Sequence, residues 1–166
     1  EVKDKSILKN AIELFEQTGS IDPSEGQTFS LLSTSYYELG NNDKAIEIGK
    51  KAVELMPNEF QPNMALGQIL SFSGDKEGSL KYIEKATEIE PSNSTAITML
   101  AGLYYDLGDT EKSVETFEEA IKTETEKKLK ANLFFNLGVL NMQLTNFQDA
   151  EDSFMSAYDL NPNDTE

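Results

Sequence analysis

The chain of 166 residues contains no cysteine, histidine, tryptophan or arginine, and all fourteen of its basic residues are lysines. Without cysteine there is no disulfide, no thiolate nucleophile and no zinc–thiolate site. Without histidine, the usual general base and the commonest transition-metal ligand are both missing. Without arginine, no guanidinium fork is available for bidentate capture of phosphate or carboxylate groups. These absences leave little from which a catalytic site could be built.

Positive charge and long apolar runs are also scarce. The formal net charge is −16, which argues against nucleic acid and against anionic membranes as partners, because both require lysine and arginine. No run approaches the ~20 apolar residues of a membrane-spanning helix, so we expect no membrane insertion. The acidic residues favour solubility, and a second interpretation is attraction to a basic partner. The sequence does not indicate a compartment.

Carboxylate pairs are the one catalytic arrangement that this composition supplies. Pairs such as Glu118-Glu119 and Glu151-Asp152 lie in helix-like segments, where adjacent side chains point in different directions. There is no glycine-rich phosphate loop, no serine nucleophile with a base and no calcium loop. We therefore predict that the chain is not an enzyme, with no catalytic residue, no cofactor and no metal site.

What the chain does contain is a repeat. Gly40, Gly74 and Gly108 follow one another at intervals of 34 residues, and so do Ala52, Ala86 and Ala120. Pro57 and Pro91 share the same interval. Several independent markers with one period indicate a repeat architecture. The register gives full repeats at 26–59, 60–93, 94–127 and 131–164, an insertion at 128–130, and a partial repeat at 1–25 that rests on Ala11, Phe15 and Pro23.

Each repeat reads as two helices. Phe29, Leu32 and Tyr36 recur at helical spacing, and turn-forming residues follow at Gly40-Asn41. A second helical stripe resumes at Ala45 and ends before Pro57, which cannot continue a helix. A helix pair of this length cannot bury its apolar face alone, so neighbouring pairs must stack. The chain is therefore predicted to be one all-α repeat domain over 1–166.

In this pattern, small residues, large apolar residues and prolines recur at fixed positions of the repeat. It resembles the tetratricopeptide repeat family, over essentially the whole chain. The resemblance implies an all-α, right-handed solenoid of stacked antiparallel helix pairs. Thr125 replaces the expected proline, and the helix-favouring run at 126–130 follows it. We expect either that the second helix of that repeat runs on or that its connection is longer. Gly49 replaces a large apolar residue, which predicts closer packing of the second helix.

The resemblance also implies that the first helix of each repeat lines a concave groove where partners bind. Family members that bind chaperones hold their partners with lysine and arginine side chains, but none of the predicted groove positions in this chain is a lysine. Met64 and Met99 are assigned equally to the groove and to packing between repeats, whereas Tyr37 and Tyr105 are expected in the groove because Tyr36 and Tyr104 supply the buried neighbour. The candidate partner-binding residues are Thr34, Tyr37, Glu38, Met64, Gln68, Phe72, Thr98, Met99, Tyr105, Asp106, Phe135, Asn136, Val139 and Met142.

The resemblance, together with the absence of catalytic chemistry, implies a non-catalytic protein-interaction module, acting as a scaffold or adaptor. Its partner would be a protein or peptide, either an amphipathic helix or an extended segment, with apolar anchors and a basic residue that meets Glu38 or Asp106. Two alternatives remain open at this stage. The chain could be a structural element that forms homo-oligomers through exposed solenoid ends, or it could be the targeting arm of a larger protein.

Overall fold

The computed structural model describes residues 26–162 together with Ser6, Lys9, Asn10, Ile12 and Glu13. The described part of the chain is all-α, as predicted, and holds no β-strand. Its helices are α1 (Gly26–Glu38), α2 (Asn42–Leu55), α3 (Phe60–Phe72), α4 (Lys76–Ile89), α5 (Ser94–Asp106), α6 (Thr110–Thr123), α7 (Lys127–Gln143) and α8 (Phe147–Leu160). Each odd-numbered helix is the first helix of a repeat, and the next helix is its partner.

The chain forms two compact units, Glu1–Ile89 and Glu90–Glu166, called unit 1 and unit 2 below. The core of unit 1 contains Leu32 and Tyr36 of α1, Ala45 and Ile48 of α2, and Ile69 of α3. The core of unit 2 is a separate cluster from α5, α6 and α7. In each unit, neighbouring helix pairs share one core, which is how stacking removes the apolar faces from water. One continuous domain over 1–166 stays a prediction.

The partial repeat at 1–25 rests on residues that lie outside the described ones, namely Ala11, Phe15 and Pro23. Ile12 is described, and it is helical and only 6% exposed. Its side chain joins the unit 1 core beside Leu32 and Tyr36. Ile12 therefore contributes apolar contact to unit 1.

A left-handed residue ends the first helix of every repeat. The residues with positive φ are Gly40 (82°), Gly74 (94°), Gly108 (86°) and Thr145 (62°). The amide of the next residue donates to a carbonyl five positions back, as from Asn41 to Tyr36 at 2.9 Å. This is the Schellman arrangement, which satisfies carbonyls at the end of the helix. The glycine spacing found in the sequence thus marks the turn within the first three helix pairs.

Small residues allow the two helices of a repeat to approach closely, and a serine often joins them. Ser33 of α1 donates to the carbonyl of Ala45 in α2 at 2.7 Å. In the next two repeats the serine is on the second helix, where Ser79 donates to Gly67 and Ser113 to Ala101, again at 2.7 Å. All three serines are fully buried. A buried hydroxyl that finds a carbonyl avoids the cost of desolvation and fixes the helix pair.

Gly49 packs as closely as the sequence predicts. A methyl group at this position would lie 2.8 Å from Ser33 Oγ and 3.0 Å from Leu66 Cδ1. Both distances are shorter than ordinary van der Waals contact. Helix α2 therefore approaches α1 and α3 more closely than a larger side chain at Gly49 would allow.

Both expectations for the run at 126–130 are wrong. Helix α6 ends at Thr123, and residues 124–126 connect it to α7, which begins at Lys127. The Glu124 side chain organises this connection, because its Oε1 accepts from the amides of Thr125 and Glu126 at 2.7 Å each. The three inserted residues lengthen α7, which has 17 residues where α5 has 13. Because no proline precedes it, helix α7 can begin earlier, and the lysine-rich segment forms the first turns of α7.

Candidate functional site

In unit 1, a pocket of about 180 Å³ lies between α1 and α3. We call it the aromatic pocket, and its lining residues are Thr34, Tyr37, Glu38, Ala65, Gln68, Ile69 and Phe72. They recur at intervals of three and four residues on each helix, so they occupy one face. Five of the predicted partner-binding residues are brought together here.

The aromatic pocket is closed on one side by a stacked pair of rings. The centroids of Tyr37 and Phe72 are 6.2 Å apart, and the ring planes differ by 22°. Tyr37 is half-buried, whereas Phe72 keeps 68% of its surface exposed. Glu38 is exposed and adds a carboxylate, and no lysine lines the pocket. An exposed aromatic surface beside a carboxylate suits an apolar or cationic side chain.

In unit 2, a pocket of about 310 Å³ lies at the corresponding position between α5 and α7. We call it the amide pocket, and its rim carries Thr98, Tyr105, Asp106, Asn136, Val139 and Gln143. Its floor comes from the core and includes Phe117 and Leu140. Asn136 Nδ2 donates to Thr98 Oγ1 at 2.9 Å, which ties the two helices together across the pocket. Five predicted residues meet here.

Four predicted residues lie elsewhere. Met64 is only 6% exposed, which supports a role in packing rather than in the groove. We therefore remove Met64 from the candidate residues. Met99 is half-buried and Met142 is 48% exposed, but neither lines the two pockets. Phe135 lines a separate cleft between α7 and α8.

The predicted division between paired tyrosines is half correct. Tyr36 is 6% exposed, as expected of a buried neighbour, with Lys44 Nζ 5.3 Å from its ring centroid. Tyr104, however, is half-buried, like Tyr105. Lys112 Nζ lies 5.3 Å from the Tyr104 ring centroid. Tyr104 therefore spans core and surface rather than filling the core.

Sequence reasoning missed the apolar residues at the base of the pockets. Ile69, at the base of the aromatic pocket, and Phe117, at the base of the amide pocket, also belong to the cores of their units. Their apolar type marks them for burial, and nothing in the local pattern distinguishes a pocket floor from the rest of a core. The Tyr158 and Phe154 side chains in the α7–α8 cleft were missed as well, since both lie on a second helix.

None of the helices described is both long enough and apolar enough to cross a membrane. Within the same residues, no group of three or more potential ligands is placed to hold a metal ion.

Two family models, both described as tetratricopeptide repeat, match the chain, one at residues 27–59 and 61–93 and the other at residues 98–165. The chain belongs to the tetratricopeptide repeat family. The matched segments follow the repeat register, with boundaries close to those of the helix pairs. Members of the family serve as protein-interaction scaffolds, and that general role applies to this chain.

Solved structures show the same fold. The crystal structure of MamA has a TM-score of 0.77 and 20% identity, covering 96% of this chain and 92% of that one. A MamA fragment from Desulfovibrio magneticus RS-1 gives 0.69 and 18%, with 98% and 97% covered. YrrB, described as a TPR protein with an unusual peptide-binding site, gives 0.72 and 17%, with 98% and 82% covered. Among curated proteins, no sequence match was found.

Proposed function

We propose that this chain is a non-catalytic scaffold or adaptor that binds a peptide or an amphipathic helix through the aromatic and amide pockets. The observation that carries the proposal is the exposed Phe72 ring, stacked on Tyr37 beside Glu38. Large rings that stay in solvent within a concave site are typical anchors for a partner. YrrB, a neighbour in fold, is itself described as having a peptide-binding site, which agrees with this role.

The side chains of each pocket define what that pocket can bind. In the aromatic pocket, an apolar side chain would pack on Phe72, and a neighbouring lysine or arginine would meet Glu38. In the amide pocket, Asn136 and Gln143 offer amide groups suited to a peptide backbone, and Asp106 adds a second carboxylate. With a net charge of −16, the chain would attract such a basic partner and repel an acidic one.

The test begins with a random peptide library that is selected on the intact chain. Selected peptides are then synthesised with one tryptophan, whose fluorescence reports binding without background because the chain itself has none. We expect the peptides to share an apolar residue close to a lysine or arginine. Phe72→Glu should weaken peptides that bind the aromatic pocket, and Tyr105→Glu those that bind the amide pocket, by about tenfold or more in each case, since each change places a charge on an anchor surface.

Phe147→Glu is the matched control, because Phe147 is 62% exposed and lines neither pocket. It should leave the affinity unchanged, and circular dichroism should show that all three variants stay helical. If no peptide is enriched, or if the selected peptides bind the Phe72→Glu, Tyr105→Glu double variant as well as the unchanged chain, the pockets are not the binding site.

A further inference from the structure

The aromatic pocket has the size of a site for one side chain. Its volume is about 180 Å³, below the ~300–1,000 Å³ that is usual for small-molecule sites. The repeat forms a pocket here and again at the corresponding position between α5 and α7, so the opening does not come from an end of the chain. The lining residues therefore decide which side chain of a partner this pocket accepts.

The polar groups of the aromatic pocket can all accept hydrogen bonds. Thr34 Oγ1 donates to the carbonyl of Ser30 at 3.1 Å, so its oxygen has only lone pairs left for an occupant. Glu38 brings an exposed carboxylate, which makes no ion pair or hydrogen bond with any residue that the structure describes. The Gln68 side chain adds an amide oxygen. Because no lysine lines the pocket, a cationic donor has to come from the occupant.

The ring pair supplies a surface for a flat group. Tyr37 and Phe72 lie nearly parallel, and Phe72 keeps 68% of its surface exposed. A guanidinium is planar and weakly hydrated, so it can stack on such a ring and direct its N–H groups at a neighbouring carboxylate. The lysine ammonium is a compact, strongly hydrated charge without a flat face. The pocket therefore favours arginine over lysine.

The amide pocket does not combine these features. Gln143 stands where the aromatic pocket has Phe72. Asp106, which corresponds to Glu38, already interacts with another group of the chain. An open carboxylate beside an exposed ring pair thus distinguishes the aromatic pocket from its counterpart in unit 2.

We infer that the aromatic pocket binds an arginine side chain of a partner peptide, with the guanidinium against the Phe72 ring and its N–H groups on Glu38. This inference rests on the proposed binding role of the pocket and decides which cation meets Glu38. The chain contains no arginine, so neither its own 166 residues nor a second copy of them can supply the guanidinium. The arginine therefore belongs to a different sequence.

The probes are three small molecules that differ in the end of one side chain, namely N-acetyl-arginine amide, N-acetyl-lysine amide and N-acetyl-citrulline amide. Citrulline keeps the planar shape of arginine and lacks its charge. Each probe is titrated into the full ¹⁵N-labelled chain at one ionic strength and followed by NMR. We expect the arginine probe to shift the amide signals of Glu38, Gln68 and Phe72, with an affinity about fivefold or more above that of either other probe.

Two variants separate the carboxylate from the ring. Glu38→Gln keeps the size of the side chain and removes its charge, so the affinity for the arginine probe should fall about fivefold or more, towards that of citrulline. Phe72→Leu keeps an apolar side chain and removes the flat face, so the preference for arginine over lysine should narrow.

Glu54→Gln is the matched control, because Glu54 is exposed, belongs to unit 1 and does not line the pocket. It removes the same charge and should leave the affinity for the arginine probe unchanged. Circular dichroism should show that all three variants stay helical.

Peptides selected on the chain separate this inference from the proposed function. In a peptide whose binding Phe72→Glu abolishes, replacing arginine with lysine should weaken binding about fivefold or more. If lysine serves as well as arginine in such a peptide, the pocket binds peptides and the arginine inference is wrong. If the arginine probe shifts the pocket signals selectively but no peptide is enriched, the arginine site stands and the proposed function is wrong.

Three results with the small probes would overturn the inference. The first is the absence of shifts in the aromatic pocket, or equal affinities for the arginine and lysine probes. The second is an affinity for the arginine probe that Glu38→Gln lowers no more than Glu54→Gln does. The third is a set of shifts at Tyr105 and Asp106 instead of Glu38 and Phe72, which would place the arginine in the amide pocket.

Discussion

The aromatic pocket of unit 1 and the amide pocket of unit 2 occupy the same stations of the repeat and differ in side-chain chemistry. Tyr37 and Glu38 in unit 1 correspond to Tyr105 and Asp106 in unit 2, two periods of 34 residues later. A tyrosine and a carboxylate are therefore common to both pockets. Helices α1 and α5 supply this shared part.

The difference lies on the facing helix. Where α3 has Ala65 and Phe72, α7 has Asn136 and Gln143 at the equivalent stations. One pocket is thus closed by a ring and measures about 180 Å³, whereas the other carries two amides and measures about 310 Å³. The repeat determines where a pocket forms, and two side chains on the first helix of the following repeat determine its size and chemistry.

The largest expected effect comes from removing a pocket floor. Phe117→Ala in the amide pocket should lower the free energy of unfolding by about 3–5 kcal/mol, because a ring that is 3% exposed leaves a cavity. Ile69→Ala, at the base of the aromatic pocket, removes a smaller side chain and should cost about 2–5 kcal/mol. Urea unfolding followed by circular dichroism measures both.

Phe147→Ala is the control for this pair, since an exposed ring outside the pockets should change stability by about 0.5 kcal/mol or less. If Phe117→Ala and Ile69→Ala lower the free energy of unfolding no more than this control does, the two side chains do not stabilise the cores of their units.

A smaller effect is expected when the facing side chains are exchanged. In unit 2, Asn136→Ala with Gln143→Phe should convert the amide pocket into an aromatic one, and the new ring pair with Tyr105 should contribute about 0.5–1.5 kcal/mol. In unit 1, Ala65→Asn with Phe72→Gln should do the reverse. Ring-current shifts of Tyr37 and Tyr105, together with the affinity of a tryptophan-labelled peptide selected on the intact chain, report the change.

The exchange has a built-in control, because the double variant in one unit leaves the other pocket untouched. The affinity for a peptide with an apolar anchor should depend on the presence of a stacked ring pair. It should fall about fivefold or more when Phe72 is replaced. Equal affinities in both double variants would mean that the facing side chains do not determine what the pockets bind.

Much of the fold follows from the sequence. Gly40, Gly74 and Gly108 predict the turn within the first three helix pairs, because a left-handed residue is needed there, and Pro57 predicts the end of a second helix. Periodicity also identifies which residues lie on an inner face of each helix. It does not identify the neighbour that they meet, which is why the opposite directions of the bonds from Ser33 and Ser113 could not be predicted.

The candidate site was less predictable for the same reason. The groove stations were read from one helix at a time, whereas a pocket needs two. Tyr37 and Phe72 are 35 residues apart in the chain, and only the packing of α1 on α3 stacks them. The spacing along the helix places Met64 at a predicted groove position, but its side chain is buried. Helix propensity also cannot place the inserted residues 128–130, because it does not say which of the two neighbouring helices they lengthen.

The smallest expected effect concerns the one turn that departs from the glycine pattern. Thr145 has a φ of 62° where the three earlier repeats have glycine, and a side chain in this region costs about 1–2 kcal/mol. Glycine also gains more freedom on unfolding, which offsets about 0.5–1 kcal/mol of the benefit. Thr145→Gly should therefore stabilise unit 2 by about 0.5–1 kcal/mol and raise its urea midpoint. Gly108→Thr, at the equivalent turn of the preceding repeat, should lower the midpoint by a similar amount. A lower midpoint for Thr145→Gly would mean that the threonine side chain contributes contacts worth more than its backbone strain.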